Sequence, residues 1–185
     1  MTHPLISVDQ TTAPQLVIFS GLPGSGKSSI AEFTGRQLNI PVFAKDWLEA
    51  TLKRCHLEPN GPEGKNRGYA SYELLTVLAE RQLMLNQSAI LDSVASIEPV
   101  RSEWRKLAEK YQAQWKVIEC ICSDEETHRQ RLLSRQRGIK GWHELPWSEV
   151  ERVKGYFAPW EEEHLVLDSM DPFQENCQKA IAYLE

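Results

Sequence analysis

The chain has 185 residues, of which 41% are hydrophobic and 25% are charged. This length and composition fit one domain with a sizeable core, and they exclude an intrinsically disordered chain or a small disulfide-stapled protein. The net charge of −5 argues against a protein that coats DNA non-specifically, although it leaves room for a local basic groove.

No segment of the sequence predicts secretion or a membrane span. The N-terminus lacks a basic region followed by an apolar stretch, and no apolar run approaches the roughly 20 residues that a transmembrane helix needs. The four cysteines lack the spacing of a zinc site, which favours free thiols in a reducing compartment; they are Cys55, Cys120, Cys122 and Cys177. We therefore expect a cytoplasmic protein with no membrane partner and no obligate protein partner.

The first half of the chain alternates short apolar runs with helical patterns. Residues 1–14 are largely polar and hold two prolines, which predicts a flexible lead-in before a single domain over 15–185. Residues 59–68 hold three glycines and two prolines, which predicts a substrate-facing loop. The expected elements are a buried strand over 15–20, a helix over 27–38, a strand over 40–43 that Pro41 places towards an edge, a helix opened by a capping box of Asp46 and Glu49, and a helix over 69–86.

The second half continues the same alternation. The expected elements are a strand over 88–93, a helix over 99–111, a strand over 115–122, an arginine-rich helix from a capping box of Ser123 and Glu126 to about Arg137, a helix over 148–157, a strand over 164–168 and a terminal helix capped by Asp171 and Pro172. This order predicts an α/β fold of three layers, with about five parallel strands, helices on both faces and a small lid over about 129–147.

Between the first strand and the first helix, residues 21–28 match the pattern G-x-x-x-x-G-K-[ST] in full. Glycines let backbone N–H groups turn inward around phosphates, and the helix N-terminus adds its dipole to the same anion. Lys27 is expected to reach the outer phosphates and Ser28 to ligate Mg²⁺, so the motif predicts binding of ATP with Mg²⁺. The predicted nucleotide-binding residues are Gly21, Leu22, Pro23, Gly24, Ser25, Gly26, Lys27, Ser28 and Ser29.

The motifs that the sequence lacks narrow the class of nucleotide-binding protein to which it can belong. A GTPase would normally carry an Asn-Lys-x-Asp motif that reads the base, and the sequence contains none. A ring-forming ATPase would need more chain around its core. Small kinases remain, and they require an acceptor site, a base and a lid.

Two aspartates are candidates for the acceptor side. Asp46 follows the second strand, where its carboxylate can take the proton of an acceptor hydroxyl, and it also fits a plain N-cap. Asp92 ends the third strand, where ligands of open parallel sheets bind, so it can hold Mg²⁺, contact the acceptor or simply form a turn. Which of the two is the base stays open.

The predicted lid helix carries four arginines. Arg131 and Arg135 are four residues apart, so they share a face of a helix, and an anion would relieve their mutual repulsion. They can match the charge of the transferring γ-phosphoryl group, or they can form a solvated face paired with the acidic residues at 124–126. Arg129 and Arg137 are expected to be solvated or peripheral.

These residues together resemble the P-loop kinase group that includes the kinase domain of phage polynucleotide kinase, the zeta toxins and chloramphenicol phosphotransferase. The shared elements are the cradle, an aspartate after the second strand, an aspartate ending the third strand and an Arg-x-x-x-Arg lid helix, over roughly Leu16 to Asp168. The resemblance implies an ATP- and Mg²⁺-dependent kinase in which Asp46 is the general base, Asp92 is the acceptor-side carboxylate, and Arg131 and Arg135 are the lid arginines.

Three functions remain in competition. The first is a kinase that phosphorylates a hydroxyl of a small molecule, with Lys27, Asp46 and the lid arginines as its catalytic residues. The second is a non-catalytic ATP-binding switch or adaptor, which would need neither Asp46 nor the paired arginines. The third is a 5′-hydroxyl polynucleotide kinase, although Trp47 stands where the polynucleotide enzyme has a second aspartate. A nucleic-acid channel could draw on only one basic cluster, which consists of Lys53, Arg54, Lys65 and Arg67.

Overall fold

Five strands, each followed by one or two helices, lie along residues 13–57 and 69–185, the parts of the chain that the computed structural model describes. In chain order they are β1 (Gln15–Ser20), α1 (Lys27–Leu38), β2 (Val42–Ala44), α2 (Lys45–Arg54), α3 (Tyr69–Met84), β3 (Ala89–Asp92), α4 (Glu98–Lys110), β4 (Gln114–Ile121), α5 (Glu125–Ser134), α6 (Trp147–Lys154), β5 (Leu165–Asp168) and α7 (Phe173–Leu184).

The strands form one parallel sheet in the order β2-β3-β1-β4-β5, with helices on both faces. Alternate residues of β1 belong to different cores, because successive side chains of a strand point to opposite faces. Leu16 and Ile18 pack with α3 and α4, whereas Val17 and Phe19 pack with α1 and α7. The predicted three-layer fold is confirmed.

The register of the sheet brings the candidate site residues to one edge. Asp92 is the last residue of β3, and its neighbours across the sheet are Phe19 of β1 and Ala44 of β2. Parallel strands end at the same edge, so the cradle that follows β1 and the helix that follows β2 emerge beside Asp92. Asp46 lies two residues beyond Ala44 and reaches the same edge.

Several helix ends differ from the sequence prediction. The N-cap of α5 is Asp124, which accepts a hydrogen bond from the Thr127 N–H at 2.7 Å, and not Ser123. Helix α5 ends at Ser134, earlier than the predicted end near Arg137. At α2 and α7 no side chain caps the N-terminus, so the capping roles predicted for Asp46 and Asp171 are wrong.

A buried arginine connects two backbone segments near the edge of the sheet. Arg101 of α4 donates to the carbonyl oxygens of Ala95, Ala158 and Pro159 at 2.7, 2.7 and 2.9 Å, and its guanidinium lies 3.6 Å from the centre of the Trp160 ring. These hydrogen bonds satisfy the N–H donors of the guanidinium, and a buried donor without a partner would lower the stability of the fold. Arg101 therefore fixes the turn that follows Asp92 to the segment that leads into β5.

Two predicted segments cannot be compared with the structure. The lead-in over 1–14, apart from its last two residues, and the loop over 59–68 lie outside the described residues. Among the helices that are described, none combines the length and the apolar character that crossing a membrane requires. The four cysteines are free, as predicted; Cys120 and Cys177 are buried, whereas Cys55 is exposed.

Candidate active site

The backbone between β1 and α1 forms a tight cradle. Gly21, Gly24 and Gly26 have positive φ angles of 140°, 88° and 89°, and the Ser25 N–H donates to the Leu22 carbonyl at 3.1 Å. Gly26 is the N-cap of α1, so the free N–H groups of the helix face the cradle. The Ser25 hydroxyl is buried and has no hydrogen-bond partner in the described part of the chain. This arrangement suits a bound anion.

Gly21 is the position of the cradle that is least tolerant of a side chain. A Cβ atom at this residue would lie 2.2 Å from the Cys120 carbonyl oxygen, and the φ angle of 140° is itself unfavourable for other residues. We expect Gly21→Ala to lower the free energy of unfolding by at least about 2 kcal/mol, the combined scale of backbone strain and overpacking. Denaturant titration measures this loss.

Gly138→Ala is the matched control for this prediction. Gly138 also has a positive φ angle, of 66°, but a Cβ atom there would meet nothing within 4 Å. It should therefore show the backbone cost alone, about 1 kcal/mol. Equal losses for the two variants would contradict the argument from close approach.

Lys27 and Asp92 form a buried pair of charges beside the cradle. The Lys27 ammonium lies 3.4 Å from the Leu22 carbonyl oxygen. Burial lowers the pKa of Lys27 despite the opposing charges of Asp92 and Asp46. Burial likewise raises the pKa of Asp92, although the charge of Lys27 and a hydrogen bond with Ser28 act against it. For both groups the cost of losing hydration is larger than the gain from their mutual attraction. Their attraction therefore does not fully offset the cost of burying the two charges.

Asp46 lies in the first turn of α2 and faces the same cluster. Its Oδ2 atom forms an ion pair with the Arg137 guanidinium, and the two side chains are only 26% and 11% exposed. Burial alone would raise the pKa of Asp46, but the charges of Arg137 and Lys27 outweigh it and hold that pKa below its ordinary value. Asp46 is therefore an ionised carboxylate in this arrangement.

The two predicted lid arginines do not share a helix face. Arg131 lies in α5 and donates to the carbonyl oxygen and the hydroxyl of Ser169, at 2.9 and 3.1 Å. Ser169 follows β5 and borders Gly26, so Arg131 stands at the far end of the cradle. Arg135 lies just past the end of α5 in an extended conformation, so the four-residue helical spacing does not apply to it.

Arg135 and Arg137 instead face Asp46 and Lys27 from the lid. The Arg135 Nε atom is 3.5 Å from Glu144 Oε2, and its buried Nε and Nη2 atoms have no hydrogen-bond partner within residues 13–57 and 69–185. Arg137 was predicted to be solvated or peripheral, and that prediction is wrong, because it pairs with Asp46. In an extended chain residues two apart point to the same side, which is the signal that could have linked the two arginines.

The segment between α5 and α6 rests on α2. Lys53 Nζ lies 3.2 Å from His143 Nδ1 and 5.3 Å from the centre of the Trp142 ring. A Cβ atom at Gly141 would lie 2.6 Å from Arg54 Cγ, which shows how closely the backbone approaches the helix. The lid is therefore docked on the helix that carries Asp46.

A separate cleft opens on the other side of the cradle. Its volume is about 360 Å³, and its walls include Leu22, Glu119, His128, Lys154 and Phe157. Its lining contains none of Lys27, Asp46 and Asp92. We therefore take the cluster of charges around Lys27, rather than this cleft, as the candidate active site.

The oxygen donors beside the cradle fit a magnesium ion that is shared with a nucleotide. Within the described residues no group of three His, Cys, Asp or Glu side chains could hold a metal ion by itself. Ser28 lies close enough to Asp92 to favour its ionised form, and the buried Oδ1 atom of Asp92 has no hydrogen-bond partner among the residues described. Mg²⁺ is commonly held by one or two protein oxygens together with phosphate oxygens and water.

Solved structures similar to this chain include several small kinases. A provisionally assigned kinase from Chloroflexus aurantiacus is 19% identical, with a TM-score of 0.74, and the match covers 94% of this chain and 100% of that one. A gluconokinase from Sinorhizobium meliloti is 18% identical, with a TM-score of 0.66 and coverages of 92% and 91%. Kti12 from Chaetomium thermophilum, in complex with ADP-AlF3, is 18% identical, with a TM-score of 0.66 and coverages of 92% and 99%. At these identities the likeness shows a common fold.

The sequence comparison identifies the family. No curated protein matches the chain by sequence. A family model described as AAA domain, however, matches residues 16–160, which include the cradle, both candidate aspartates and the lid. That match spans well over half of the 185 residues. The chain therefore belongs to this AAA domain family, and it shares its fold with small P-loop kinases.

Proposed function

We propose that the protein is an ATP-dependent kinase that transfers the γ-phosphoryl group to a hydroxyl of a small molecule. The observation that carries this proposal is the placement of Asp46. Its ionised carboxylate lies at the sheet edge beside Lys27 and the cradle, where a second substrate would meet a bound triphosphate. A protein that only bound nucleotide would gain nothing from a carboxylate held there.

Each part of the site has a role in this proposal. Residues 21–29 bind the phosphates of ATP, and the Lys27 ammonium attracts the outer phosphate oxygens. Ser28 and Asp92 would hold Mg²⁺, which when bound neutralises charge on the β- and γ-phosphates. Arg135 supplies donors to the transferring group from the lid. Arg131, which contacts Ser169 at the far end of the cradle, acts on the nucleotide side.

The proposed step is an in-line displacement. The acceptor oxygen forms a bond to the γ-phosphorus while the bond from that phosphorus to the β–γ bridging oxygen breaks. The acceptor proton passes to Asp46, and ADP leaves with the bridging oxygen. Asp92 is a poorer candidate for the base, because its side chain is buried and interacts with Lys27 and Ser28, which suits it to the proposed magnesium site instead.

A small acceptor suits this chain better than nucleic acid. Lys53 is already paired with Glu49 at 3.2 Å, and Arg54 donates to Thr51 at 2.9 Å. The other two members of the predicted basic cluster, Lys65 and Arg67, lie outside the described residues. The likeness to a gluconokinase adds support for a small hydroxyl compound. The four free cysteines fit a reducing cytoplasm, which is part of the same proposal.

The second candidate is a nucleotide-dependent switch. The likeness to Kti12, which was crystallised with ADP-AlF3, favours it. A screen of hydroxyl compounds with γ-labelled ATP separates the two functions. Label transferred to an acceptor supports the kinase, whereas hydrolysis alone, unaffected by every acceptor class including oligonucleotides, supports the switch.

Replacing Asp46 by asparagine tests the proposed base. The amide keeps the shape of the side chain but cannot take a proton, so we expect phosphoryl transfer to fall by about 100-fold or more. ATP affinity should change little, because Asp46 lies on the acceptor side. Steady-state kinetics and nucleotide titration measure the two effects. Normal transfer by Asp46→Asn together with an inactive Asp92→Asn would move the base to Asp92.

A further inference from the structure

The ion pair between the lid and Asp46 is more than a surface salt bridge. Arg137 is 11% exposed and Asp46 is 26% exposed, so the pair is largely screened from water. The hydrogen bond from Arg137 goes to Oδ2 of the carboxylate, and none from Arg137 to Oδ1 occurs within residues 13–57 and 69–185. In the proposed reaction, Oδ1 is the oxygen that receives the proton of an acceptor.

Arg137 is itself held in place by the lid. Its backbone N–H donates to Glu144 Oε1 at 2.9 Å, and its guanidinium lies 5.4 Å from the centre of the Trp142 ring. Glu144 also attracts Arg135, and the neighbouring His143 contacts Lys53 of α2. The arginine is therefore fixed both to the lid and, through the lid, to the helix that carries its partner.

We propose that Arg137 is a positioning residue: from the lid, its guanidinium holds one oxygen of the Asp46 carboxylate and so ties the orientation of the base to the position of the lid. This inference rests on the proposed role of Asp46 as the base. It adds a link that the sequence did not indicate, because the lid would then act on the acceptor side as well as on the phosphates. If the lid moved away from α2, Asp46 would lose the ion pair that orients its carboxylate.

Several charged groups face Asp46, and they decide what the loss of Arg137 would do. Lys27 of α1, Lys45 of α2 and Arg137 of the lid all lower the pKa of Asp46, against the effect of burial. Asp92 of β3, Arg135 of the lid and Tyr72 of α3 also interact with it. Because Arg137 has the largest effect of the three cations, its removal should raise the pKa of Asp46 even though Lys27 and Lys45 remain.

The test compares Arg137→Met, Arg137→Lys and Arg129→Ala with the unchanged protein. Methionine keeps an unbranched side chain and removes the charge, whereas lysine restores the charge without the planar fork. Arg129 is exposed on α5 and serves as the control. The first measurement is the pH titration of the Asp46 carboxyl carbon by NMR in the nucleotide-free protein. We expect the pKa to rise in Arg137→Met, to rise less in Arg137→Lys and to stay unchanged in Arg129→Ala.

The second measurement is the pH profile of phosphoryl transfer to an acceptor found in the screen. Asp46 must be ionised to take a proton, so the rate falls as the pH drops through its pKa. Raising that pKa moves the acid limb of the kcat profile to higher pH. On the plateau, loss of orientation should lower kcat by about 10-fold or more, with a smaller change in KM. Arg137→Lys should recover part of both effects.

The two measurements separate this inference from the proposed function. An Asp46 titration that is the same in Arg137→Met and in the unchanged protein overturns the inference, whether or not an acceptor is known. A shifted titration with an unmoved acid limb and an unchanged plateau also overturns it, because Asp46 would then not be tied to catalysis through Arg137. If no acceptor is found, the proposed function fails, while the titration still decides whether Arg137 controls this carboxylate.

Discussion

Replacing Lys27 by alanine is expected to abolish ATP turnover while the protein stays folded. The ammonium is buried beside the cradle, and its one hydrogen bond among the described residues is a long one to the Leu22 carbonyl, at 3.4 Å, so it is available to the outer phosphates. Removing a preorganised charge from such a site costs about 10³-fold in rate or more. ADP release with acceptor present is the measurement.

The fold should survive this change because the partner of Lys27 can adapt. Asp92 would lose the opposing charge that acts on it most strongly, which would raise the pKa of its buried carboxyl further and allow it to take up a proton. A circular dichroism spectrum like that of the unchanged protein checks this point. Lys106→Ala, at an exposed lysine of α4, is the matched control. Full turnover in Lys27→Ala would refute the kinase proposal.

Replacing Arg135 by alanine is expected to lower kcat by about 10³-fold, the scale of other arginines that stabilise a transferring phosphoryl group. Its Nε and Nη2 atoms are buried without a hydrogen-bond partner in the parts of the chain described, and its ion pair with Glu144 is long, at 3.5 Å. Burial lowers the pKa of the guanidinium, with the nearby charge of Arg137 acting in the same direction. An anion bound next to these donors would accept their hydrogen bonds and so offset the cost of burying them without partners.

The split between rate and affinity identifies the role of Arg135. Charge that acts mainly in the transition state changes kcat more than the dissociation constant for ATP. Steady-state kinetics and nucleotide titration on Arg135→Ala and Arg129→Ala therefore decide the matter. Arg129 is exposed on α5, so its replacement should be nearly silent. Small and equal effects at both positions would mean that Arg135 does not act on the transferring phosphoryl group.

The cradle and the sheet could be predicted from the sequence because their signals are local. A short apolar run, a glycine-rich turn and a helical pattern each involve neighbouring residues, and the rule that parallel strands end at one edge brought Asp46 and Asp92 together without any coordinates. The edge position of β2 followed in the same way from Pro41. These predictions are confirmed by the observed sheet order and register.

Several predicted helix N-caps were wrong because the side chains concerned can bind other partners instead of the backbone N–H groups of the helix. Glu49, the predicted second member of the box at α2, is bound by Lys45 at 2.6 Å and by Lys53 at 3.2 Å. Asp46 is drawn to Arg137, which lies 91 positions further along the chain. An S-x-x-E or D-x-x-E spacing describes only the local competition, and a distant cation can outweigh it.

The sequence alone determined the family of folds, the glycine-rich cradle and the edge of the sheet where the candidate site lies, because each depends on contacts between residues close in the chain or on a general rule of parallel sheets. Only the tertiary structure decided where each arginine of the lid points. Helix α5 ends at Ser134, so Arg131 turns to Ser169, whereas Arg135 and Arg137 turn to Asp46 and Lys27. The position of a helix end depends on small energy differences, which docking of the lid against α2 can change. The long charged side chains beyond that end then pair with whichever groups folding brings near them.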